Sequence, residues 1–132
     1  QFFISLLFAL ITFVILGGLF GNFVFLPEFA TWHEAYPDAV RETPDFVSGF
    51  VLGLLQLIAF VVLLPKLQIT SGSGAAMFGA VYSVVIWLIV DLQMVSVTNI
   101  VSYEYVLKDA LLSAVMGAIL GVVVSWSQRR FA

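Results

Sequence analysis

Four long apolar runs divide this chain, each close to the length that crosses a bilayer as a helix. A helix rises ~1.5 Å per residue against a hydrocarbon core ~30 Å thick, so roughly 20 apolar residues suffice. The runs cover 2–26, 46–64, 75–99 and 105–127. The first two carry no charge, the third carries only Asp91, and the fourth has Lys108 and Asp109 near its start. Runs rich in Val and Ile form strands in water, but in lipid an open sheet leaves backbone groups unpaired, and so few runs cannot close a barrel. Helices remain. Composition agrees, since 62% hydrophobic and 10% charged residues exclude the water-soluble, disordered and disulfide-framework classes. The expected fold is all-α: a four-transmembrane-helix bundle in one integral membrane domain, with both termini on the same side.

Lys66, Arg129 and Arg130 fall on the side of the chain ends, and Arg41 and Lys108 on the other. The excess of cations sets the ends in the cytoplasm, with a bacterial inner membrane as the expected location. The chain opens at Gln1 rather than at a methionine, so residues are expected to precede it. The first run exceeds the apolar core of a secretory signal and no small-residue cleavage site follows, so it reads as a retained span.

A net charge of −3 with dispersed cations gives no basic stripe for phosphates, which excludes nucleic acid as a partner. Without Cys there is no thiolate nucleophile, iron–sulfur cluster or Cys-ligated zinc. His33 is the only histidine, which rules out bis-histidine haem, and its neighbour Glu34 faces another way on a helix, so no metal site is expected. No nucleophile–base combination, phosphate loop or paired catalytic carboxylates are evident, so the chain is not expected to be an enzyme. No cofactor is predicted, although the aromatic-rich faces leave room for bound lipid or pigment.

The stretch 27–45 reads as an acidic extramembrane loop, with Glu28, Glu34, Asp38, Glu42 and Asp45 against Arg41. Asp45 is placed to cap the second helix. Phe29, Trp32 and Tyr36 recur at i, i+3 and i+7, which puts three aromatics on one side of a short helix at headgroup level. An interfacial anchor is the plain reading, and a docking face for a partner subunit the sharper one.

Helices associate in lipid through small residues that let backbones approach. Candidate packing positions are Gly17 and Gly21 on the first helix, Gly49 and Gly53 on the second, and the ladder Ser113, Gly117, Gly121 and Ser125 on the fourth. Within the spans, Asp91 is the costliest residue, and such acids pair, bind or conduct. Lys108 lies on the same side of the midplane, which brings an Asp91–Lys108 ion pair within geometric reach, and Asp109 and Glu104 read as solvated or helix-start charges. Ala80, Ser83, Trp87, Asp91, Met94 and Thr98 share one helical face, and Gln56 lies near the middle of the second helix. Asp91, Gln56, Ser83 and Lys108 thus form the candidate intramembrane polar site, for structural hydrogen bonding, for an ion or proton, or for a ligand.

Gly17-Gly18-Leu19-Phe20-Gly21 closing the first helix, Gly79-Ala80-Val81-Tyr82 opening the third and the glycine ladder of the last resemble small bacterial four-helix integral membrane proteins of unknown function. The resemblance implies the fold and no active residues. The function expected from these features is that of a non-enzymatic accessory or stabilising subunit, packed against other membrane subunits or itself within the lipid bilayer. The alternative is a small oligomeric transporter or channel that uses Asp91.

Overall fold

The computed structural model describes residues 1–131. The chain is all-α, with four helices long and apolar enough to cross a membrane: α1 (Phe2–Ala35), α2 (Phe46–Lys66), α3 (Gly72–Val97) and α4 (Tyr103–Arg130). Both chain ends lie at one end of the bundle, where the Gln1 side chain donates to the Gln128 carbonyl at 2.7 Å.

The first helix departs from expectation. It runs through Pro27 to Ala35 instead of stopping at Leu26, so the irregular part of the 27–45 connection begins only at Tyr36. A proline inside a helix donates no bond and drives its ring toward the carbonyl four residues back. Just upstream, Gly21–Phe25 forms a π turn, in which the Leu26 N–H reaches back to the Gly21 carbonyl. That wide turn absorbs the misfit and lets the helix continue. The helix ends at the next proline, Pro37, which keeps Tyr36 out of the helical region (φ −136°, ψ 66°). The predicted interfacial helix is therefore the last turns of α1. His33 Nδ1 donates to the Val40 carbonyl at 2.7 Å and folds the following turn back on that end.

Each remaining helix starts at an oxygen-bearing cap. Asp45 accepts from the Val47 N–H at 3.2 Å and the Ser48 hydroxyl at 2.6 Å. The Ser48 bond, aided by the backbone N–H groups of Val47 and Ser48, holds its carboxyl below the usual carboxylate range. Ser71 caps α3 through the Gly74 N–H, so the helix starts at Gly72, ahead of the apolar run at 75. Ser102 caps α4 through the Tyr105 N–H at 3.2 Å, and α4 outruns its expected bounds at both ends.

The tightest pairing is the antiparallel seam of α3 and α4. A Cβ on Gly79 would strike the Gly117 carbonyl, one on Gly117 the Gly79 carbonyl, and one on Gly121 the Ala75 carbonyl. Close backbone approach replaces the hydrophobic drive that lipid does not supply. α1 lies against α4, where the buried Ser127 hydroxyl donates to Ser5 Oγ at 2.9 Å, and against α2, where the Phe13 ring sits over Gly53. α2 closes on α3 through rings, with Phe60 stacked on Phe78 at 5.7 Å and the Tyr82 hydroxyl donating to the Gln56 carbonyl at 3.2 Å.

Candidate ligand cavity and its carboxyl pair

Five of the nine aromatic residues of α1 fall at 13, 20, 25, 29 and 32, with Gly17 between the first two. The step of five from Phe20 to Phe25 breaks an α-helical stripe, but it spans the π turn, whose extra residue keeps the next rings on the same face. All of these residues border one cavity of about 320 Å³. Trp87 of α3 and Tyr105, Asp109, Leu112, Ser113 and Met116 of α4 form the facing wall, and Pro44 reaches it from the connection. Its volume is at the lower end of small-ligand sites. Trp32 meets the Tyr105 ring edge-on at 4.7 Å between centroids.

The walls are apolar, and the strongest polar group is the Asp109 carboxyl, only 5% exposed. The four-residue seam that brings Ala75 to Gly121 and Gly79 to Gly117 continues one way to Asp91 and the other to Asp109. That register sets Asp109 opposite Trp87 and Asp91 one turn further on, so the two buried acids are neighbours across the seam. Asp91 is 6% exposed, and its Oδ2 has no hydrogen-bond partner among the described residues. Ser113 donates to Asp109 Oδ1 at 3.5 Å, a weak bond. Two carboxylate oxygens are both acceptors and bond only when one carries a proton.

The cation expected to neutralise Asp91 is elsewhere. Lys108 Nζ bonds Glu28 Oε1 at 2.9 Å, a partly exposed pair. Lys108 and Asp109 are consecutive on α4 and point about 100° apart, so when Asp109 faces α3 its neighbour is turned away from the seam. Glu28 is in reach because α1 remains helical beyond Pro27. Lys108 thus pairs with Glu28 and not with Asp91, and Asp109 is buried rather than a solvated helix-start charge.

The other expected site residues are dispersed. Ser83 is buried against Gly117 on the seam. Gln56 stands at the level of Tyr82, ~13.5 Å along α3 from Asp91, so it does not join the carboxyl pair. Phe29 and Trp32 line the cavity, whereas Tyr36 is exposed and donates to the Asn99 carbonyl at 3.2 Å. Ser113, Gly117, Gly121 and Ser125 are buried on α4, and Gly53 packs under Phe13. Within the chain, Gly17, Gly21 and Gly49 make no close helix contact, since a Cβ on any of them meets nothing within 4 Å. Gly17 instead leaves space in the cavity wall.

Sequence reasoning overlooked Asp109, yet a signal existed. Asp109, Ser113, Gly117, Gly121 and Ser125 form one four-residue series, as do Ala75, Gly79, Ser83, Trp87 and Asp91. Each acid sits on the extension of a small-residue ladder. Among the described residues no cluster of metal-ligating side chains occurs. No protein-family model, curated protein or solved structure matches the chain.

Proposed function

We propose that the chain is an integral membrane protein that binds an amphipathic cation in the aromatic cavity, in exchange for a proton held by Asp91 and Asp109. In this reading the ends, with Lys66, Arg129 and Arg130, face the cytoplasm of a bacterial cell. The observation that carries it is two buried acids one turn apart on the α3–α4 seam, while Lys108 beside them is bound to Glu28. Two unit charges about 4 Å apart repel by ~4 kcal/mol at an effective dielectric of 20, so the empty site favours one shared proton. An arriving cation supplies the missing positive charge, the proton leaves, and the net charge of the site is unchanged. Aromatic faces attract quaternary ammonium groups and the apolar walls accept an organic body. Exchange of this kind is the elementary step of a coupled transporter, which gives the transport reading its mechanism.

The accessory-subunit reading rests on small-residue faces and the aromatic stretch as contacts; the α3 and α4 ladders pack on each other within the chain, which leaves Gly17, Gly21 and Gly49 for any such partner. Binding of benzyltrimethylammonium to the purified protein tests the proposal. Saturable binding is expected, weakened by about 10- to 100-fold in Asp109→Asn, the value of a charge-assisted contact. The uncharged carbon isostere neopentylbenzene binding as tightly would refute a cation site. The orientation is tested by single cysteines at Leu67 and Thr43, which must label from opposite faces, the former cytoplasmic.

A further inference from the structure

The molecule is polar along its length. All eight acids lie in the half that holds the Tyr36–Asp45 and Thr98–Ser102 connections, whereas Lys66, Arg129 and Arg130 occupy the opposite end with no Asp or Glu beside them. A second cavity, of about 750 Å³, opens at that basic end between α1, α2 and α4. Lys66 and Arg129 stand on it, together with Gln68 and Thr70 from the α2–α3 connection. Neither cation belongs to an ion pair among the described residues, where Lys108–Glu28 is the one salt bridge. Arg129 Nε donates to the Ser125 carbonyl at 3.3 Å, which lays the side chain along α4 and leaves its terminal nitrogens for another acceptor. Below the cations the wall turns apolar, with Phe2, Val61, Val62 and Ile69.

We infer that this cavity is a site for the phosphate headgroup of an anionic glycerophospholipid. Lys66 and Arg129 neutralise the phosphate, Gln68 and Thr70 donate to its oxygens, and an acyl chain lies on Phe2 and Val62. Charge complementarity selects the headgroup, since two cations without an ion pair among the described residues call for a counter-ion. The apolar wall selects a lipid over free phosphate, because an inorganic anion gains nothing from that surface. Lys66 is set by the Pro65-Lys66 end of α2 and Arg129 by the last turn of α4, so the site also bridges two helices.

The test is thermal unfolding of the full chain in zwitterionic detergent, titrated with dioleoylphosphatidylglycerol, dioleoylphosphatidylcholine or inorganic phosphate. A saturable rise of Tm is expected with phosphatidylglycerol alone. Lys66→Gln and Arg129→Gln are each expected to weaken its apparent affinity about fivefold, from the worth of one cation at an anionic surface. Arg130, which lies over the Phe131 ring and not on the cavity, is the control, and Arg130→Gln should keep the wild-type response. An equal loss in Arg130→Gln would mean general surface charge and overturn the site. So would an equal rise with phosphatidylcholine. Inorganic phosphate matching the lipid would make this a free-anion site and overturn the lipid assignment. Should a variant unfold before titration, co-purified phosphatidylglycerol per wild-type chain, washed off by high salt, reads the same site: bound lipid supports it and none overturns it.

Discussion

The α3–α4 seam behaves differently at its two ends although both helices keep the same four-residue spacing throughout. Toward the chain ends, Ala75, Gly79, Gly117 and Gly121 bring backbone against backbone. Toward the connections, Trp87 and Asp109 hold the same register and border a cavity, with Asp91 buried one turn beyond Trp87. Periodicity decides which residues meet, and side-chain size and charge decide whether the meeting closes the interface or leaves a site. A seam locked at one end gives fixed positions to costly groups at the other, which is what a preorganised site requires.

The largest effect should come from prising open the closed end. Gly117→Leu puts a side chain into the Gly79 carbonyl and is expected to cost about 3 kcal/mol or more, or to prevent folding, since overpacking with backbone displacement exceeds the ordinary range. Unfolding of the detergent-solubilised protein measures it. A fully stable Gly117→Leu protein would break the contrast between the two ends.

At the mouth, Asp45→Ala removes the α2 cap and should cost ~1 kcal/mol. Its carboxyl titrates lower in the folded chain than in the unfolded one. The cap's contribution is therefore complete above the unfolded pKa of about 4 and fades as pH falls through the lower folded value. The stability gap between wild type and Asp45→Ala should narrow in acid below that point, and a gap constant to strong acid would exclude the cap as its origin.

Smaller still is the ion pair beside the cavity. A double-mutant cycle of Glu28→Gln and Lys108→Met should return a coupling of about 0.2–1 kcal/mol, the range of partly exposed pairs, while Asp91→Asn with Lys108→Met should be additive. Coupling in the second cycle would restore the Asp91–Lys108 pair. Gly49→Ala, which meets open space, should change stability least, with a gain of up to ~1 kcal/mol from helix propensity.

Much of the fold was legible because bilayer-length apolar runs have few solutions. Asp45 as a cap and the Ser113–Ser125 ladder could be read directly from residue type and spacing. Pro27 misled, because a proline is ordinarily a stop and the π turn that accommodates it depends on backbone geometry that composition does not display. That one boundary hid Glu28 as a helical residue and so assigned Lys108 to the wrong acid. Asp109 was obscured by its neighbours Lys108 and Glu104, which made a helix start look solvated. Extending the α4 ladder by one turn reaches Asp109 and the α3 ladder by two reaches Asp91, which would have placed the two acids a turn apart on one seam.

The most direct test counts protons. Benzyltrimethylammonium carries a permanent charge, so any proton appearing as it binds in weakly buffered detergent solution comes from the protein. The exchange mechanism predicts close to one proton released per cation bound at neutral pH, and none from Asp109→Asn at a cation concentration that saturates the wild type. Saturable binding with no proton released, or release that persists without Asp109, would contradict it.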